Sequence, residues 1–188
     1  MSDPVSALGG AVFEGPIVSI KDLGPVGMVT IRGEFASQSF ASVIETVCGA
    51  PIPGIRRFEG GLGWMSPDEL LWTGDYQAAP GIVAALSEAL GSEHHLAVNV
   101  SDARAVFEVS GTGARELIAK GAPVDMSPEA FGPGDLRRTH IGQVAAAFWM
   151  GSESGETGFR LVCFRSYARY MFDWLRTSAK DGTTPGLF

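Results

Sequence analysis

Reactive and charged side chains are scarce in this sequence. Of 188 residues, two are cysteine (Cys48 and Cys163) and three are histidine. Both cysteines lie in apolar segments with no Cys-x-x-Cys pairing. That excludes a disulfide framework or a zinc site of the usual spacing and leaves small buried hydrophobes. Charged residues make up 19% of the chain and the formal net charge is −7. Such a balance argues against nucleic acid or an anionic membrane as principal partner. Arg56-Arg57 and Arg137-Arg138 are clustered cations, and paired arginines on loops are ordinarily solvated or matched by acidic neighbours. No apolar run approaches the length needed to cross a bilayer. The opening MSDPVSALGGAVFEG lacks the basic-then-apolar pattern of a secretory leader, so cytoplasmic placement is expected.

What is present is an ordinary globular composition, 45% hydrophobic, long enough for one good core or two fused halves. The stretch LAVNVSDARAVFEVSGTGARELIAKGAP, residues 96–123, organises the chain. Val98 and Val100, then Val106, Phe107 and Val109, predict half-buried strands. Gly111-Thr112-Gly113 turns the chain, with Thr112 placed to cap a helix carrying Ala114, Leu117 and Ile118 and ending at Gly121.

The same grammar occurs earlier. Met28 to Arg32 alternates as a strand. Phe40, Val43, Ile44 and Val47 recur at helical spacing, capped by Ser37 and stopped by Gly49. Gly49-Ala50-Pro51 then matches Gly121-Ala122-Pro123, the sign of an internal repeat. A hairpin follows each tripeptide: 61–65 with 70–73, and 143–150 with 159–164 around a loose turn. Each hairpin leads to a helix, one opened by Pro80 and closed by Gly91, the other capped by Ser166. Leu96 to Val100 closes the first half.

The expected fold is α+β, two pseudo-duplicated βαββαβ-like (ferredoxin-like) halves with helices packed on antiparallel sheets. Residues 1–25 are expected as an extended arm with one short strand near Ile17 to Ile20. Residues 26–179 are expected as a single compact unit of two repeats, 26–101 and 102–179, and residues 180–188 as a flexible tail.

The search for chemistry yields little. Adjacent His94 and His95 on a strand point to opposite faces and do not share a metal in the usual way. His140 stands alone among arginines. Gly111-Thr112-Gly113 lacks the third glycine of a dinucleotide fingerprint, because position 116 is Glu116. Gly9-Gly10 and Gly60-Gly61 precede no Lys-Ser/Thr of a phosphate loop. Asp102 and Arg104 flank a bend, where an ion pair or a ligand contact is open to them. Serines are plentiful, but none has a local base or a nucleophile elbow. Tyr167, Tyr170, Phe172 and Trp174 give one helix an apolar girth that predicts packing on two sides, and Trp64 and Trp72 can add to the same kind of surface. The residues therefore supply no catalytic, cofactor-binding or metal set.

Four runs carry a resemblance: VSDARAVFEVSGTGARELIAKGAPVDMSPEAFGPG, MSPDELLW, FRLVCFRSYARYMFDWL and LGPVGMVTIRG. In this order-sensitive combination, from about Leu23 to Leu175, the chain resembles the gamma subunit family of heterotetrameric sarcosine oxidase. The resemblance implies the folate-binding fold of the aminomethyltransferase group. It also implies a non-catalytic subunit of an enzyme that oxidises sarcosine to glycine, passing the one-carbon unit to tetrahydrofolate or releasing it as formaldehyde while oxygen becomes hydrogen peroxide. FAD, FMN, NAD and tetrahydrofolate are then expected on partner subunits, none on this chain, and the expected partners are the alpha, beta and delta subunits. A folate- or small-ligand-binding module is the alternative, since fold does not fix function.

Overall fold

The structure, a computed structural model, describes residues 3–151, 158–180 and 186–187. In chain order the first elements are β1 (Val12–Glu14), β2 (Ser19–Asp22), β3 (Gly27–Arg32), α1 (Gln38–Cys48), β4 (Phe58–Glu59), β5 (Leu62–Ser66), β6 (Glu69–Gly74), α2 (Ala79–Leu90) and β7 (Leu96–Asn99). There follow β8 (Arg104–Ser110), α3 (Ala114–Ala119), β9 (Leu136–Ile141), β10 (Val144–Met150), β11 (Gly158–Phe164) and α4 (Ala168–Ser178). The chain divides into two units, Val26–Asp102 and Met1–Pro25 with Ala103–Phe188.

The unit of residues 26–102 is one antiparallel sheet in the order β4-β5-β6-β3-β7. Alternation along β3 sends Val29 and Ile31 to the helix-covered face. There they meet Leu70 and Trp72 of β6, Phe40 and Ile44 of α1, and Leu86 and Leu90 of α2. Local signals set the helix ends. The Ser37 hydroxyl accepts from the Phe40 amide at 3.2 Å, and Gly49 ends α1 with φ 77°. Proline occupies the first turn of α2, and Gly91 closes it. Trp72 is buried in this core, the commoner fate of tryptophan, and Trp64 is half-buried.

The other unit is a six-stranded antiparallel sheet in the order β1-β2-β8-β11-β10-β9. Phe107 and Val109 of β8, Phe148 of β10 and Leu161 of β11 share a core with Leu117 and Ile118 of α3 and Met171 and Leu175 of α4. The two units have the same plan. In the first, β3, β5, β6 and β7 stand in the order β5-β6-β3-β7; in the second, β8, β10 and β11 stand in the order β10-β11-β8 with β2 beside β8. The strand completing the second βαββαβ pattern therefore comes from the N-terminal segment.

The short strand expected near Ile17 to Ile20 corresponds to β2, but it is paired into this sheet. Pairing of Ser19 with Ser110 and of Asp22 with Phe107 joins positions some ninety residues apart, and no local pattern records a partner that distant. Two helix caps also differ. The first residue of α3 follows Gly113, so Thr112 sits one position too early and no side chain caps that helix. A 3-10 turn at Arg165–Tyr167 displaces the start of α4 beyond Ser166, again without a side-chain cap. Arg137 and Arg138 lie on strand β9 rather than on a loop. Most of the expected 151–157 turn and of the 180–188 tail lies outside the described residues.

Candidate functional site

The most site-like feature forms where the Gly111-Thr112-Gly113 turn meets α3, the end of β10 and β11. A cavity of about 180 Å³ there is lined by Thr112, Arg115, Glu116, Pro128, Met150 and Phe159. Both glycines of the turn are set by the N-terminal segment. Gly111 has φ 102°, and a Cβ on it would stand 2.5 Å from the Ile17 carbonyl oxygen. The Gly113 amide donates to that same oxygen at 2.9 Å. This is close backbone approach, which glycine allows, and not phosphate recognition.

Arg115 is engaged in holding a loop. Its Nη1 donates to the carbonyls of Met126 at 2.5 Å and Phe131 at 2.9 Å, and Nη2 reaches the Met150 sulfur at 3.4 Å. Burial lowers its pKa, an effect partly opposed by the charge of Glu129. Glu116 is buried, and its Oε2 accepts from the Gly186 amide at 2.9 Å. The cavity is well below the roughly 300–1,000 Å³ of pockets that enclose drug-sized ligands.

A second buried polar centre lies on β2. Asp22 Oδ2 accepts from Ser6 Oγ at 2.7 Å, the Leu8 amide at 2.9 Å and the Gly10 amide at 3.2 Å, while Oδ1 has no partner among the described residues. The carboxylate folds the 6–10 loop around itself, which gives Gly9-Gly10 a turn role. No sequence signal marked Asp22, because its donors, one hydroxyl and two backbone amides, come from a loop 12 to 16 residues away.

The residues singled out from the sequence do not converge. His94 is exposed on the approach to β7, and His95 Nδ1 lies 2.8 Å from the Glu93 carbonyl. His140 is exposed on β9. Asp102 accepts from the Tyr76 hydroxyl at 3.1 Å, whereas the Arg104 guanidinium lies 3.9 Å over the Phe164 ring. Arg57 pairs with Glu59 at 3.1 Å, and Arg137 packs 5.2 Å from the Phe131 ring centre. Burial pushes the Cys48 thiol up to about 11 and the Cys163 thiol to about 12, the latter against a small opposing effect of Arg104. Thiols so shifted are poor nucleophiles. Tyr170 of α4 and Tyr167 in the 3-10 turn before it are exposed while Phe172 is buried. Among the described residues no group of three or more His, Cys, Asp or Glu is placed to hold a metal ion. No described helix is long and apolar enough to cross a membrane.

The sequence matches the sarcosine oxidase, gamma subunit family over residues 32–181. The chain belongs to the sarcosine oxidase gamma subunit family. Within this family it is 28% identical over 164 residues to sarcosine oxidase subunit gamma of Corynebacterium sp. (strain P-1), covering 84% of this chain and 78% of the relative. It is 26% identical over 165 residues to the subunit gamma of Arthrobacter sp., covering 85% and 77%. Among solved structures, a chain of heterotetrameric sarcosine oxidase from Corynebacterium sp. U-96, in complex with pyrrole 2-carboxylate, superposes with TM-score 0.77 at 20% identity, over 88% of this chain and 85% of that one. Glycine cleavage system aminomethyltransferase T from Bartonella henselae superposes with TM-score 0.57 at 11% identity, over 82% of this chain and 44% of that one. At those identities the likeness is one of fold: this gamma-family chain has the α+β architecture of the aminomethyltransferase group.

Proposed function

We propose that this chain is the non-catalytic gamma subunit of a heterotetrameric sarcosine oxidase, assembled with alpha, beta and delta subunits in the cytoplasm. In that assembly sarcosine is oxidised to glycine, O₂ is reduced to H₂O₂, and the one-carbon unit passes to tetrahydrofolate or leaves as formaldehyde. FAD, FMN, NAD and tetrahydrofolate reside on the partner subunits. The observation that carries this reading is the family match across residues 32–181. The side-chain inventory supports it: the cavity's Arg115 and Glu116 are engaged in tying down a loop and the Gly186 backbone. The function of such a subunit is shape and contact area.

Co-expression with the alpha, beta and delta chains of the same source, followed by gel filtration, tests the assignment. The expected result is one complex containing this chain in fixed stoichiometry, and elution of this chain alone from every combination would refute it. A titration with tetrahydrofolate separates the ligand-module alternative, for which the isolated chain would bind at about micromolar Kd, on the order of −8 kcal/mol.

A further inference from the structure

The two sheets have four outer edges, and they are not equally guarded. Exposed edge strands invite pairing with another chain, so folded proteins blunt them with charge, proline or brevity. Strand β9 carries Arg137, Arg138 and His140; β1 has three residues ending in Glu14; β4 has two, one of them Glu59. Strand β7 is short, at four residues, but carries neither charge nor proline. Its sequence is Leu-Ala-Val-Asn, among the described residues it pairs only with β3, and Leu96 and Val98 are 45% and 41% exposed. Ala97 packs into the core, so Leu96 and Val98 share the opposite face of the strand.

The surroundings choose the occupant. The unit bearing β7, residues 26–102, holds nine carboxylates against three arginines, a net of −6 out of −7 for the whole chain. Two of those arginines are already matched: Arg32, directly opposite Leu96, lies 3.5 Å from Asp68 and 3.3 Å from Glu69, and Arg57 pairs with Glu59. Glu93, three residues before the strand, is held ionised by the Ser37 and Ser39 hydroxyls at 2.6 and 2.7 Å, which lower its pKa. A second copy of this chain would bring an equally acidic unit to the same edge, and like charges facing each other disfavour that contact. We infer that the open edge of β7, with Leu96 and Val98, docks an extended Lys/Arg-bearing segment of a different polypeptide in the assembly. Strand addition satisfies the free backbone groups of β7, apolar residues of the incoming segment cover Leu96 and Val98, and its cations meet the acidic unit.

This inference rests on the subunit assignment above, and the tests keep the two apart. Hydrogen exchange compares the wild-type chain free and in the reconstituted complex. The expected result is slowing of at least about tenfold at the amides of residues 96–99 on assembly; unchanged exchange there in an intact complex overturns the docking edge and leaves the subunit assignment standing. In parallel, the double variant Leu96→Lys, Val98→Lys, on side chains already half in solvent, is co-expressed with the other subunits beside Gln143→Lys as an exposed control. Loss of the double variant from the complex, with circular dichroism like wild type and the control retained, is the expected result. Retention of a folded double variant at wild-type stoichiometry overturns the inference. Raising salt from about 0.05 to about 0.5 M shortens the screening length severalfold and is expected to weaken the complex. A wild-type chain that dimerises by itself and becomes monomeric in the double variant overturns the choice of a basic partner. Failure of the wild-type chain to assemble at all removes the subunit assignment and the docking edge together.

Discussion

Asp22 concentrates three hydrogen-bond donors on one carboxylate oxygen in a position almost closed to solvent. Replacing Asp22 by Ala leaves those donors unmatched, so urea unfolding is expected to show a loss of about 1–3 kcal/mol. Ser37→Ala removes the hydroxyl that caps α1 and one of the two holding Glu93, at an expected cost of about 1 kcal/mol for the cap. Cys163 gives a pH prediction. Burial pushes its thiol from the ordinary 9.0 up to about 12, so the folded state holds this proton more tightly than the unfolded chain does. Its contribution is fully present below pH 9.0, is lost as pH rises toward about 12, and should flatten over that range in Cys163→Ala when stability is followed by thermal melting. Single residues were legible in the sequence where their action is local. Ser37, Gly49, Pro80 and Gly91 act on a helix within four positions of themselves. Thr112 and Ser166 were misplaced because a one-residue shift and a short 3-10 turn moved the helix starts past them.

Among the elements, β2 connects sequence and fold least directly. It has four residues, follows a Gly-Pro turn, and completes a sheet whose other core strands begin at residue 104. Removing residues 1–25 therefore strips the fourth strand of the βαββαβ pattern and uncovers the β8 edge. Such a truncation is expected to lose cooperative melting and to aggregate, as judged by calorimetry and light scattering; a truncated chain that melts like the full one would contradict the strand's role. The repeat itself was readable. Gly49-Ala50-Pro51 and Gly121-Ala122-Pro123 each follow a helix and place a buried alanine, Ala50 or Ala122, in a core. A Cβ on Gly60 would stand 2.4 Å from Ala50 Cβ, and the Gly142 amide donates to the Gly121 carbonyl at 3.0 Å. In both halves a hairpin glycine closes over the tripeptide. Strand β9 was not readable, because its half-buried and exposed arginines, threonine and histidine hide the alternation between Leu136 and Ile141.

For the molecule as a whole, charge is divided unevenly between two units built to one plan. The acidic unit holds the least guarded sheet edge, and the nearly neutral one holds the small cavity tied by Arg115. The fold plan could be read from periodicity, repeat and turn chemistry. The docking edge could not, because exposure of Leu96 and Val98 depends on which strand ends a sheet, and that order is fixed by non-local pairing. Among the described residues, Cys48 and Cys163 are raised in pKa by burial, Arg115 and Glu116 hold backbone groups, and His94 and His140 lie exposed on separate elements. Sarcosine-dependent oxygen uptake, measured on the purified chain and on the complex containing it, decides between scaffold and enzyme. The expected outcome is uptake by the complex and none above buffer for the chain alone. Turnover of sarcosine by the isolated chain would contradict the scaffold role.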